Sequence, residues 1–221
     1  MIQQQTHKVL GPMTTGIKYK NAFIRTLFPT PVYETYLGRE ITKTEVNYMN
    51  KVSTQLQKNT GNVTSTSKTV LKGKPLKKLE KFFIEHVNHY FDEIIHSSSD
   101  IKPYITLSWL NYTKENEYHH AHEHENSMVS GVFYVSADEK DSIRFYKSGY
   151  QQIKPSIKEY NLWNSTSWWV PARTGKLILF PSSLSHSVDH KKGDNTRISL
   201  AFNVFIKGTV GTEHHITKLE L

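Results

Sequence analysis

The chain has 221 residues, a length that suits one domain with a sizeable buried core. Hydrophobic residues make up 37% and charged residues 22%, which excludes a disordered or fibrous chain, and no apolar run or hydrophobic leader points to a membrane or to export. Cysteine is absent, so disulfides, thiolate metal sites and a cysteine nucleophile are excluded, while a formal net charge of +8, spread without a like-charge block, keeps an anionic partner in view.

Residues 1–20 lack periodicity and read as a loose lead-in to a domain over 21–221. The prolines within residues 28–36 would break a central ladder, so that run is expected to be an edge strand, one that could pair across a homodimer. Thr42 and Glu45 have capping-box spacing before a stripe of Val46, Met49 and Leu56, which predicts a helix over about 43–57. The polar stretch 58–74 reads as a surface loop. Pro75 then suits the first turn of a second helix over about 75–96, where Leu76, Leu79, Phe83, Val87, Tyr90 and Ile94 recur every three or four residues.

From residue 100 the period changes. Strands are expected at 104–111, 128–135, 142–146, 167–170, 176–180, 185–188 and 196–205, divided by turn residues. Two helices ahead of about seven strands predict a mainly β fold, with helices flanking a jelly-roll core over about 104–206.

Three stretches carry candidate chemistry. Tyr118-His-His-Ala-His-Glu-His-Glu-Asn-Ser would place His120, His122 and His124 on one face of a strand, able to grip a metal that accepts imidazole and oxygen; a polar strand end is the plainer reading of the tract alone. Pro171 to Val188 reads as a turn, a strand buried on both faces, a second turn and then His186, which could return opposite that pair. In Arg197-Ile-Ser-Leu-Ala-Phe-Asn-Val-Phe, one parity (Ile198, Leu200, Phe202, Val204) would meet the helices and the other (Arg197, Ser199, Ala201, Asn203) the interior. A buried guanidinium needs an anion, which it can fork with help from Ser199; a salt-bridged arginine at the strand mouth fits equally well.

Taken in order, Tyr112, His122-x-His124, His186 and Arg197-x-Ser199 resemble the iron and 2-oxoglutarate-dependent oxygenases. Ser108-Trp-Leu-Asn, Ser130-Gly-Val-Phe-Tyr and Gly175-Lys-Leu-Ile-Leu-Phe-Pro-Ser extend the resemblance to an uncharacterised bacterial and phage branch, across about 27–208. The resemblance implies a double-stranded β-helix, Fe(II), 2-oxoglutarate as cosubstrate and O2, in the cytoplasm of a bacterial or phage-infected cell. It makes His122 and His186 iron ligands, with no catalytic residue beyond the metal centre. Arg197, assisted by Ser199 and Tyr112, would hold the far carboxylate of 2-oxoglutarate. The superfamily has a carboxylate two residues after the first histidine where this chain has His124; we take His124 as the third ligand, with Glu123 or Glu125 able to replace it if the strand bulges. Trp109 and Tyr134 read as core aromatics, and residues 149–169, with Trp163, Trp168 and Trp169, as a lid facing the substrate.

Two other readings use the same residues. A cupin-type metal enzyme would need His-x-His and the distal histidine but not Arg197-x-Ser199. A non-catalytic basic β-sandwich would bind a nucleic acid or virion component through its charge. The substrate class, whether protein side chain, small molecule or nucleic acid, is not readable.

Overall fold

The fold grows from a change of period that the sequence displays: amphipathic helices first, then alternating strands. The computed structural model describes residues 26–98, 100–149, 153 and 155–221; the expected lead-in at 1–20 lies outside them. In chain order the elements are β1 (Tyr33–Tyr36), α1 (Lys43–Val52), β2 (Leu56–Lys58), β3 (Val63–Ser65), α2 (Lys77–Tyr90), β4 (Lys102–Thr113), β5 (His119–His122), β6 (Val129–Ser136), β7 (Ser142–Tyr146), β8 (Ser167–Pro171), β9 (Lys176–Pro181), β10 (His186–Val188) and β11 (Arg197–Lys207). A small hairpin, β12 (Thr209–Val210) and β13 (Leu219–Glu220), follows. The large sheet has the order β1-β9-β6-β11-β4-β3-β2 and the small one β5-β10-β7-β8, with every strand pair antiparallel. This is the jelly roll expected, with helices packed on the large sheet.

Strand alternation decides what goes where. On β9 all of Leu177, Ile178, Leu179 and Phe180 are buried. Leu177 and Leu179 join the helix-side core with Phe133, Leu200, Phe202 and Val204, whereas Ile178 and Phe180 join the core between the sheets with Tyr134, Ile143 and Phe145. Helix α2 supplies Leu79, Phe83, Val87 and Tyr90 to the outer layer, and Phe83 stacks on Phe202 of β11 with ring centroids 5.0 Å apart. Gly131 lies opposite Phe202, and a Cβ there would come within 2.1 Å of the Phe202 ring, so the glycine makes room for it.

Three local expectations change. Helix α1 carries the capping box, with Thr42 Oγ1 accepting from the Glu45 amide and Glu45 accepting from the Thr42 amide, but it ends at Val52 and Leu56 is exposed on β2. The polar stretch after it is not a plain loop. It continues the large sheet as the β2–β3 hairpin, because its side chains satisfy backbone groups: Thr64 Oγ1 donates to the Leu110 carbonyl and Ser65 Oγ accepts from the Leu110 amide. At the end of α2 the chain widens into a π turn, Phe91–Ile95, which shifts the buried stripe so that Phe91 is covered and Ile94 exposed. The first residues of the expected edge strand stay outside β1, which does lie at one edge of the large sheet. Among the described residues no helix is long and apolar enough to cross a membrane.

Candidate metal centre and anion cavity

The site begins with a strand register. Antiparallel pairing of β5 with β10 sets His122 directly across from His186, although 64 positions separate them in the chain (186 − 122). The two rings lie 4.3 Å apart at their centroids, and His124, just past the end of β5, has its ring 5.0 Å from that of His122. One nitrogen from each of His122, His124 and His186 falls within 4.8 Å of the other two, the spread a single ion can span. Glu123 and Glu125 are exposed and contribute no atom to this group, so the third corner is the imidazole of His124.

Hydrogen bonds at the far side of each ring fix its tautomer. His122 Nδ1 lies 2.8 Å from the His120 carbonyl, His186 Nδ1 lies 3.0 Å from the Leu184 carbonyl and His124 Nδ1 lies 2.5 Å from Asn203 Oδ1. Oxygen acceptors carry no proton, so each Nδ1 must donate one. All three Nε2 atoms are thereby left as lone pairs, and those of His122 and His124 sit 3.1 Å apart. Two lone pairs at that distance repel unless a cation lies between them. Burial, the largest cause, lowers His186 to about 3 and His122 to about 4; it also lowers His124, against the opposing hydrogen bond that His124 donates to Asn203. The cluster is thus neutral and able to ligate at ordinary pH. Asn203 is an orienting residue that the sequence reading placed inward without giving it a role.

A second triplet, His119, His120 and His122, is also close enough to share an ion. His119 turns inward because the β5–β10 register shifts between its two ends, and its ring stacks 4.4 Å from that of His122. Its Nε2 already meets the Asn59 side-chain amide at 3.2 Å, and the only nitrogen that amide can face as a donor is one without a proton. The triplet with His186 is therefore the one whose lone pairs are free.

Beside the imidazoles lies a partly open cavity of about 40 Å³, lined among others by Asn111, Tyr134, Arg197 and Ser199. Registers explain the set: Ser199 is paired with Asn111 on β4 and with Tyr134 on β6, so the three share one row. Arg197 faces inward and is buried, as the alternation of β11 predicts. It is, however, already half engaged: its Nη1 donates to Asp141 Oδ1 at 2.9 Å, a partner that sequence reasoning did not find. Its Nη2, the Tyr134 hydroxyl and Asn111 Oδ1 are buried without a hydrogen-bond partner, the signature of a cavity shaped for a polar guest. Burial raises the Tyr134 phenol, with the Arg197 charge opposing, so it stays a protonated donor.

The expectation for Tyr112 does not hold. Tyr112 pairs with Ile198, on the outward parity of β11, and its hydroxyl donates to the Met49 carbonyl at 3.2 Å under helix α1. Tyr134, read as core, does sit in the core between the sheets and also lines the cavity, as Trp109 does, 5.7 Å from the His124 ring. A wider pocket of about 330 Å³, which shares Trp109, His119, His122 and His124 with the first, opens among Gln57, Asn59, Thr64, Lys68 and Glu123. Trp163, Trp168 and Trp169 are exposed and line neither space, and residues 150–152 and 154 of the expected lid lie outside the described residues.

Comparison with known proteins agrees with this geometry. Residues 107–203 match the family model described as "Putative 2OG-Fe(II) oxygenase". No curated protein sequence matches the chain. Among solved structures, an oxidoreductase of the 2OG-Fe(II) oxygenase family from Burkholderia pseudomallei aligns over 78% of this chain and 83% of its own, at 9% identity and a TM-score of 0.53. HygX from Streptomyces hygroscopicus, crystallised with nickel, 2-oxoglutarate and hygromycin B, aligns over 79% and 82% at 11% identity and a TM-score of 0.53. The alpha-ketoglutarate-dependent carbocyclase SnoK of nogalamycin biosynthesis aligns over 85% and 86%, at 10% identity and a TM-score of 0.54. Identities this low speak for the fold, while the family match covers the segment bearing His122, His124, His186, Arg197 and Ser199: the chain is similar to the 2OG-Fe(II) oxygenases in sequence across its site and in fold across most of its length.

Proposed function

We propose that the chain is an Fe(II)- and 2-oxoglutarate-dependent oxygenase whose metal is held by His122, His124 and His186. The observation that carries this reading is the convergence of three Nε2 lone pairs beside a cavity with an unsatisfied guanidinium nitrogen. When bound, ferrous iron with 2-oxoglutarate and O2 supplies an oxidant for C–H bonds, as the keto acid is oxidatively decarboxylated to succinate and carbon dioxide.

The chain's own residues bind, orient and exclude water. The carbonyls of His120 and Leu184 and the Asn203 amide aim the three imidazoles. Three neutral ligands leave a dication uncompensated, which favours anionic co-ligands over neutral ones. Arg197 Nη2 and the Tyr134 hydroxyl, both without a protein partner, would donate to a terminal carboxylate, with Ser199 lining the same cavity. Val132, Ile143 and Phe180 form the dry part of the wall. The wider pocket that shares these histidines is where a substrate would meet the same centre, and its polar side chains suit a hydrogen-bonding molecule.

The test is anaerobic mixing of metal-free protein with ferrous iron and 2-oxoglutarate, watching for the visible charge-transfer band of a chelated keto acid. His186→Ala should abolish the band, and Arg197→Ala should weaken it in a way that high 2-oxoglutarate restores. Wild-type protein that binds iron and gives no band would defeat the reading. Release of succinate separates it from a cupin-type enzyme, and chelator-independent, salt-sensitive binding of nucleic acid from a non-catalytic module.

A further inference from the structure

Arg197 does not stand alone. Asp141, at the turn before β7, accepts from Arg197 Nη1 at 2.9 Å, and Lys191, in the connection from β10 to β11, places its Nζ 3.7 Å from the other Asp141 oxygen. All three side chains are buried. The turn holds Asp141 rigidly: its Oδ2 accepts the Asp138 amide at 2.8 Å and its carbonyl accepts the Ala172 amide at 2.9 Å. Lys191 is pinned as well, its Nζ donating to the Lys192 carbonyl at 3.0 Å. Two buried cations share one buried carboxylate, and the next acid near Lys191 is the half-buried Asp138. Buried charge is costly to leave unpaired, and this cluster borders both the cavity where Arg197 Nη2 has no partner and a second opening of about 260 Å³ lined by Asp141, Arg197, Asp189 and Lys192.

We propose that Asp141 and Lys191 set the charge and edge of the cosubstrate cavity: Asp141 holds Arg197 by one nitrogen so that the other faces inward, and Lys191 cancels the Asp141 charge. The cavity then presents a positive edge suited to one carboxylate. This inference rests on the reading of the cavity as the 2-oxoglutarate site, and it assigns Asp141 and Lys191 as positioning residues that need not touch the guest.

The experiment uses full-length protein loaded with Mn(II), which holds the keto acid without turnover, and follows binding by calorimetry. Lys191→Met removes one buried positive charge and should weaken 2-oxoglutarate about tenfold or more, a buried charge a few ångströms away being worth at least that. The same variant should leave Mn(II) affinity unchanged, together with the affinity for 2-oxovalerate, which has the keto acid but no second carboxylate. Asp141→Asn removes the acid that both cations share; it should tighten 2-oxoglutarate and lower the melting temperature of the ligand-free protein, with 2-oxoglutarate restoring it. Because that change also strips the Asp138 amide of its acceptor, Lys191→Met decides the matter if Asp141→Asn does not fold. Equal 2-oxoglutarate affinity in wild type and Lys191→Met, or equal weakening of both keto acids, overturns the charge assignment alone. Wild-type protein that binds Mn(II) and neither keto acid overturns the parent reading and this one with it.

Discussion

Replacing Asn203 by alanine isolates the part of the metal centre that touches no metal. Asn203 Oδ1 accepts the Nδ1 proton of His124 at 2.5 Å and thereby keeps the His124 Nε2 free for an ion. Without that acceptor the ring can carry its proton on Nε2, where it would point at His122 Nε2, 3.1 Å away, and satisfy both rings with no cation. The metal must then reverse the tautomer before it binds. Loss of such an orienting partner weakens metal by about 10- to 100-fold, roughly 1.4 to 2.8 kcal/mol. Ser130 Oγ, 3.1 Å from the same Nδ1, can take over part of the role, which puts Asn203→Ala near the lower end and Ser130→Ala/Asn203→Ala near the upper. Competition between the protein and a calibrated chelator for Mn(II) measures the difference. Asn203→Asp keeps an acceptor and should bind metal at least as well as wild type, which separates orientation from simple damage to β11. Wild-type Mn(II) affinity in the double variant would refute the reasoning.

Other outcomes follow from the same geometry. Tyr134→Phe removes a buried hydroxyl that has no protein partner, so it should weaken 2-oxoglutarate severalfold in a calorimetric titration while leaving the unfolding midpoint in urea unchanged or slightly raised. Tyr112→Phe, on the far side of the sheet, should leave that affinity at the wild-type value. Phe83→Ala empties a position stacked on Phe202 and should cost about 3–5 kcal/mol of stability, read from denaturant curves. Metal-free protein should lose stability in acid. Its His186 and His122 stay neutral down to about 3 and 4, whereas in the unfolded chain they protonate near 6.5. The unfolded state thus binds more protons, so this contribution is complete above about pH 6.5 and lost as pH falls through the folded values. Melting temperatures from pH 7.5 to 4.5 check this, and His186→Gln should flatten the fall; an unflattened curve in that variant would remove His186 from the account.

Much of this was legible because a strand's side chains alternate strictly. The period of two in β11 sorts Arg197, Ser199, Ala201 and Asn203 from Ile198, Leu200, Phe202 and Val204, and both faces go where that sorting sends them. The same rule, applied to β4, would have separated Tyr112 from Asn111 and Thr113; the motif order drew attention to Tyr112 when its parity was outward. What stayed hidden depends on distance along the chain. Asp141 meets Arg197 across 56 positions, and nothing local to either residue announces the pair. The β2–β3 hairpin was hidden for another reason: its buried groups are Thr64 and Ser65, whose hydroxyls replace the apolar signal by which a strand is usually recognised. The fate of Ile94 turns on a single π turn, which no periodic count anticipates.

The smaller sheet joins His122 to His186 through β5 and β10, elements of only four and three residues. So short a seam has few ladder bonds, and its register already slips once along its length. An ion shared by those two side chains would rivet the seam from the outside, doing mechanically what more ladder bonds do elsewhere in the barrel. Supply of the ion would then govern how firmly this corner of the molecule is closed, as well as whether it can react.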